Sequence, residues 1–144
     1  MKKCIVLSVF WSVLAFGCSP IPASVEDKAL PEMPFPVLIQ RANQYIGETV
    51  ILGGYLMEIR NLEDETRMVA IHVPLDADKK PKTADLSQGL IKMKYNGRLD
   101  AEKYPKNSKI TAAGVLQGSS ATETPPSPYP YVELKLTHIH RWSD

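Results

Sequence analysis

From Thr49 onward, apolar and polar residues alternate with a period of two, the pattern of strands with one buried face. The first such run, TVILGGYLMEIR, is rich in β-formers and is interrupted by Gly53 and Gly54. Glycines inside a strand mark a bulge or a sharp bend of the kind barrels require. After the polar turn NLEDE, the run TRMVAIHVP places Val69, Ile71 and Val73 on one face and Met68, Ala70 and His72 on the other. The two runs predict a hairpin. QGLIKMKY predicts a third strand. KITAAGVLQG predicts a fourth, with Ile110, Ala112, Gly114 and Leu116 on one face, and YVELKLTHIHRW a fifth. The connecting segments PLDADKKPKTAD, RLDAEKYPKNS and SSATETPPSP are polar, the second with one helical turn before Pro105. Five strands with a short helical element between the third and fourth match the order of an OB-like barrel. Gly53, Gly54 and Gly114 would permit its tight coiling, and a flat sandwich is the alternative.

Upstream the period changes. In VLIQRANQYIG, the residues Val37, Leu38, Ala42, Tyr45 and Ile46 recur at helical spacing and Gly47 supplies a stop, so one short amphipathic helix is expected. Before it, SPIPASVEDKALPEMPFP carries Pro20, Pro22, Pro31, Pro34 and Pro36. Prolines at this density remove backbone donors and fix φ, which predicts an extended tether over residues 18–36 with a reach of about 55 Å. Phe35 is the residue there that can pack on the domain. The chain opens with Lys2 and Lys3 and an apolar run from Cys4 to Phe16, 13 residues in all. A spanning helix needs roughly 20, so residues 1–17 read as a secretory signal peptide and lie outside the fold. The expected organisation is thus signal peptide 1–17, tether 18–36 and β domain 37–144.

Length and charge narrow the picture. A chain of 144 residues that loses its first 17 holds one domain. Loss of Lys2 and Lys3 lowers the 17 basic residues to 15 against 16 acidic ones, a balance of −1. A nearly neutral domain has no general electrostatic drive toward nucleic acid. No second apolar run is long enough to span a membrane.

Ala15, Phe16 and Gly17 lead into Cys18, and this stretch resembles the lipobox of bacterial lipoproteins. The position three before the cysteine is usually Leu in that motif and is Ala15 here. The resemblance implies cleavage between Gly17 and Cys18, and diacylglycerol and N-acyl chains carried covalently on Cys18. No other cofactor is expected. A Cys4–Cys18 disulfide is the alternative, but processing would remove Cys4 and leave a lone thiol. Ser19 follows the cysteine where Asp would signal inner-membrane retention, which favours an outer-membrane anchor.

Longer segments resemble the Slp family of outer-membrane lipoproteins: GETVILGGYLMEIRN, VPLDADKKPKTADLSQG, YNGRLDAEKY, ITAAGVLQG, YPYVELK and HIHRW, in order from Tyr45 to Trp142. Pro74-Leu75-Asp76 and Ser87-Gln88-Gly89 carry the likeness most closely. Leu90 stands where the family places a basic residue, Asp100-Ala101 where it has Asp-Pro, and prolines replace the glycine-rich part of the last loop. The resemblance implies a non-catalytic lipoprotein held in the outer membrane by acylated Cys18, facing the periplasm and associated with starvation or envelope stress. It implies outer-membrane lipid as the contact of the anchor. Envelope proteins or peptidoglycan are the expected partners of the domain.

Candidate chemistry in the residues themselves is sparse. His138 and His140 are two apart on a strand and share a face, which by strict alternation also holds Val132, Leu134, Leu136 and Trp142. With His72 as a third ligand they could hold a metal, but two histidines at a strand end more often cap a barrel or face solvent beyond a bulge. Asp76, Asp78 and Asp85 could serve Ca²⁺, although Lys79, Lys80 and Lys82 interleave with them. No G-x-S-x-G is present, and the acidic run Glu63-Asp64-Glu65 falls in a turn. OB-like barrels bind oligomers on the face around the second and third strands. Tyr55, His72 and Tyr95 are candidate surfaces for stacking a cell-wall glycan or small ligand there, the alternative to a purely structural role.

Overall fold

The structure is a computed structural model that describes residues 20–125 and 128–143. The signal segment, Gly17 and Cys18 lie outside the described residues.

The five predicted strands form: β1 Thr49–Asn61, β2 Glu65–Val73, β3 Leu90–Asn96, β4 Lys109–Ser119 and β5 Tyr131–Arg141. They hydrogen-bond in the order β1-β2-β3-β5-β4, and β4 pairs back onto β1 to close a barrel. The β3–β5 pair is parallel and the other four are antiparallel. This is the expected OB-like order, and closure removes the unpaired edges of a flat sandwich. Alternation supplies the core: Met68, Ala70, Ile91, Met93, Ile110 and Leu134 all point inward and are at most 1% exposed. Two glycines let the strands curl. A Cβ at Gly54 would stand 2.6 Å from the Ile71 carbonyl oxygen, and one at Gly114 would stand 2.7 Å from that of Lys135.

At β5 strict alternation fails. Gly114 pairs with Leu136 and Ala113 with His138, so Thr137 is an extra residue, and its Oγ1 donates to the Ala113 carbonyl at 3.0 Å. The bulge shifts the phase. Ile139 packs toward the core, and His138 and His140 turn outward instead of sharing the face of Leu134 and Leu136.

The amino-terminal segment departs most from expectation. Residues 20–36 are not an extended tether. Ile21 is fully buried, α1 spans Ala23–Glu26, Ala29 bridges Thr49, and Leu30 N–H donates to the Thr49 carbonyl at 2.8 Å. Pro22 and Pro34 occupy helix N-caps, and Pro36 lies in the first turn of α2 (Phe35–Gln40), where a missing N–H costs nothing. The single expected helix is two short ones, α2 and α3 (Ala42–Tyr45), broken at Arg41 and ended by Gly47 at φ +91°. Phe35, Leu38, Ile39 and Ala42 join the barrel core. Ser119 Oγ on β4 donates to the Ile39 carbonyl at 2.8 Å and fastens α2 in place. Ser119→Ala is expected to cost about 1–2 kcal/mol by leaving this buried acceptor one partner short. A lowered urea midpoint at unchanged m-value would show it.

The β2–β3 connection is also ordered. Asp76 Oδ1 accepts from the backbone of Asp78 at 2.8 Å and of Lys80 at 3.0 Å, and Leu75 bridges Pro81. Leu75 packs over Gly53, where a Cβ would meet its Cδ2 at 2.3 Å. The connection ends in a 3-10 turn, Ala84–Leu86, and then Gly89.

Candidate functional site

Between the segment at 30–38 and the facing ends of β1 and β2 lies a cavity of about 330 Å³. Its walls are mainly apolar, with Met33, Phe35 and Leu38 on one side and Val50, Leu52 and Leu75 on the other. Its polar side chains are those of Glu32, His72 and Gln88.

His72 is the chemically distinctive group. It follows Met68 and Ala70 on the inward face of β2 and is 6% exposed. Its ring stacks on Phe35, with centroids 3.8 Å apart and planes 5° from parallel. Its Nδ1 is buried and has no hydrogen-bond partner. Burial lowers its pKa to about 4, so the imidazole is neutral at neutral pH. Gly89 makes the stack possible. Its carbonyl accepts from the His72 N–H at 2.9 Å, its φ is +151°, and a Cβ there would lie 2.9 Å from Phe35 Cε1 and 2.6 Å from the Pro130 oxygen. No other residue fits that position without moving the phenyl ring or the backbone of Pro130.

The three aromatic candidates do not share a groove. Tyr55 pairs with Ile71 on the outer face, and its hydroxyl donates to the Lys82 carbonyl at 2.8 Å, pinning the β2–β3 connection. Tyr95 packs against the core opposite Thr66, six residues from His72 along β2, or about 20 Å. His72 alone lines the cavity.

The histidine pair is likewise separate from His72. His138 is exposed, and its Nδ1 contacts Thr137 Oγ1 at 3.2 Å. His140 meets Trp142 edge-on at 4.7 Å, and the Trp142 indole N–H donates to Thr111 Oγ1 at 2.9 Å. Among the described residues no three His, Cys, Asp or Glu side chains group to hold a metal, and Asp76 uses its carboxylate to organise its own turn.

The residues that sequence reasoning missed are those opposite His72. Phe35, Met33 and Leu38 come from a stretch read as tether and helix, and Gln88 and Gly89 from the start of the run read as the third strand, which begins at Leu90. The available signal was the set of large apolar residues spaced among the prolines: Ile21, Leu30, Met33 and Phe35.

The chain is 27% identical over 143 residues to the outer membrane protein Slp of Escherichia coli K12, covering 98% of this chain and 74% of that one. It is 23% identical over 138 residues to the uncharacterized lipoprotein YeaY of the same organism, covering 95% and 71%. An aspartyl-tRNA synthetase from Entamoeba histolytica aligns with a TM-score of 0.46 at 10% identity, covering 80% of this chain and 23% of that enzyme, and carries no functional implication. The model of the outer membrane lipoprotein Slp family matches residues 15–144, a span that takes in Cys18 and the whole barrel, and the chain belongs to that family.

Proposed function

We propose that the protein is acylated on Cys18, anchored by those chains in the outer membrane with its barrel on the periplasmic side, and acts there without catalysis in the response to starvation or envelope stress. The observation that carries the reading is the family match, which begins three residues before Cys18 and runs through the barrel. Ser19, in place of Asp, supports the outer rather than the inner membrane.

Acyl-chain labelling with membrane fractionation tests the anchor. Label on the wild type, none on Cys18→Ala and recovery in the outer membrane are the expected results. Absence of label from both, with soluble protein, would sink it. Protease added outside intact cells should spare the barrel and cut it only after the outer membrane is permeabilised.

A second reading is favoured by the cavity. A concave, mostly apolar space with a few polar groups is the usual form of a small-ligand site, and this one lies between the amino-terminal segment and the ends of β1 and β2. In this reading the protein is an anchored binding module.

A further inference from the structure

We propose that the cavity beside His72 is the binding site for a neutral, mainly apolar small molecule with a single hydrogen-bonding group, of the class of a medium-chain fatty alcohol. The inference deepens the binding-module reading and rests on it.

Size sets the first limit. A water-sized group fills about 30 Å³, so the roughly 330 Å³ space accepts on the order of ten such groups. Wall chemistry sets the second. Met33, Leu38, Val50 and Leu52 offer hydrocarbon, and among the described residues the lining contains no lysine or arginine. A saccharide carries a hydroxyl on nearly every carbon, and these walls would leave most of them unpaired at a cost. Charge sets the third. Among the described residues Glu32 is the only charged one in the lining, so an anionic head such as a carboxylate or phosphate meets repulsion and no counter-charge from them.

His72 supplies the polar contact. His72 lines the cavity, and its Nδ1 is unpartnered and closed to a water-sized group. A hydroxyl in the cavity therefore meets the ring at Nε2, which accepts or donates according to the tautomer. Phe35, stacked on the imidazole, adds an aromatic wall for the alkyl chain at the same point.

The test is photolabelling of the full acylated chain in lipid nanodiscs with a decanol that carries a diazirine, followed by peptide mapping. Expected are saturable insertion into the peptides around 30–38 and 50–53 and at least tenfold protection by excess decanol but not by decanoate. Leu52→Trp, which fills the cavity, should abolish the insertion. His72→Phe, which keeps the ring and removes the nitrogen, should weaken it about three- to tenfold. Insertion spread over the outer surface, or insensitive to decanol on the wild type, overturns the site. Equal protection by decanol and decanoate, or an unchanged His72→Phe, overturns the ligand class. Protection by a cell-wall oligosaccharide alone also overturns the class while leaving a binding barrel in place. The same map reads the acyl mass on Cys18, so failure of the anchor is seen separately.

Discussion

Phe35→Ala is expected to lower the stability of the domain by about 3–5 kcal/mol. The phenyl ring is 2% exposed, belongs to the barrel core and stacks on His72. Its loss removes the transfer free energy of a buried aromatic and leaves a void that cannot close easily, because Gly89 and the Pro130 carbonyl hold fixed backbone on one side. Small domains have about 5–15 kcal/mol in total, so the variant should unfold at a much lower urea concentration. The measurement also bears on the amino-terminal segment. A loss below about 1 kcal/mol would mean that residues 20–36 detach without consequence, as a tether would.

Stability is next expected to fall on mild acidification, by about 3 kcal/mol at full effect, because of His72. Its folded pKa of about 4 lies below the ordinary imidazole value of 6.5. Below pH 6.5 the unfolded chain takes up a proton that the folded one refuses, so protons pull the equilibrium toward unfolding. The contribution is intact above about pH 6.5, declines between 6.5 and about 4, and levels off below. Carboxylates titrate near the bottom of that range, so the informative quantity is the difference between the wild type and His72→Phe. That difference should grow from pH 7 to pH 4. Parallel profiles would show that the ring is solvated in the folded protein. Phe35→Ala should shrink the same difference, since opening the stack lets water reach the imidazole.

The strands were legible because each keeps one face dry. In TRMVAIHVP the alternation alone puts Met68, Ala70 and His72 together, and the structure buries all three. Gly54 and Gly114 announced tight curvature, and both stand too close to a neighbouring carbonyl to accept a Cβ. The end of β5 was not legible. A single extra residue, Thr137, reverses which side chains face inward, and nothing in LTHIHRW marks which residue is extra. The amino-terminal segment misled for a different reason. Proline density dominated the reading, whereas Pro22, Pro34 and Pro36 sit at helix starts and the buried anchors Ile21 and Phe35 follow no period. The cavity depends on that misread segment, so His72 could be assigned to a face but Phe35 could not be assigned to His72.

The packed amino-terminal segment also sets how far the barrel can travel. An 18-residue spacer would let it sweep a volume some 55 Å deep, whereas Ile21 is already fixed in the fold. Under the proposed anchor on Cys18, three residue steps would separate the acyl chains from Ile21, about 10 Å at full extension. The barrel would then be moored close to the headgroups, with its rotation restricted and its neighbours limited to molecules that share or approach that leaflet. Apolar molecules leaving the leaflet would have only a short distance of water to cross before they met it.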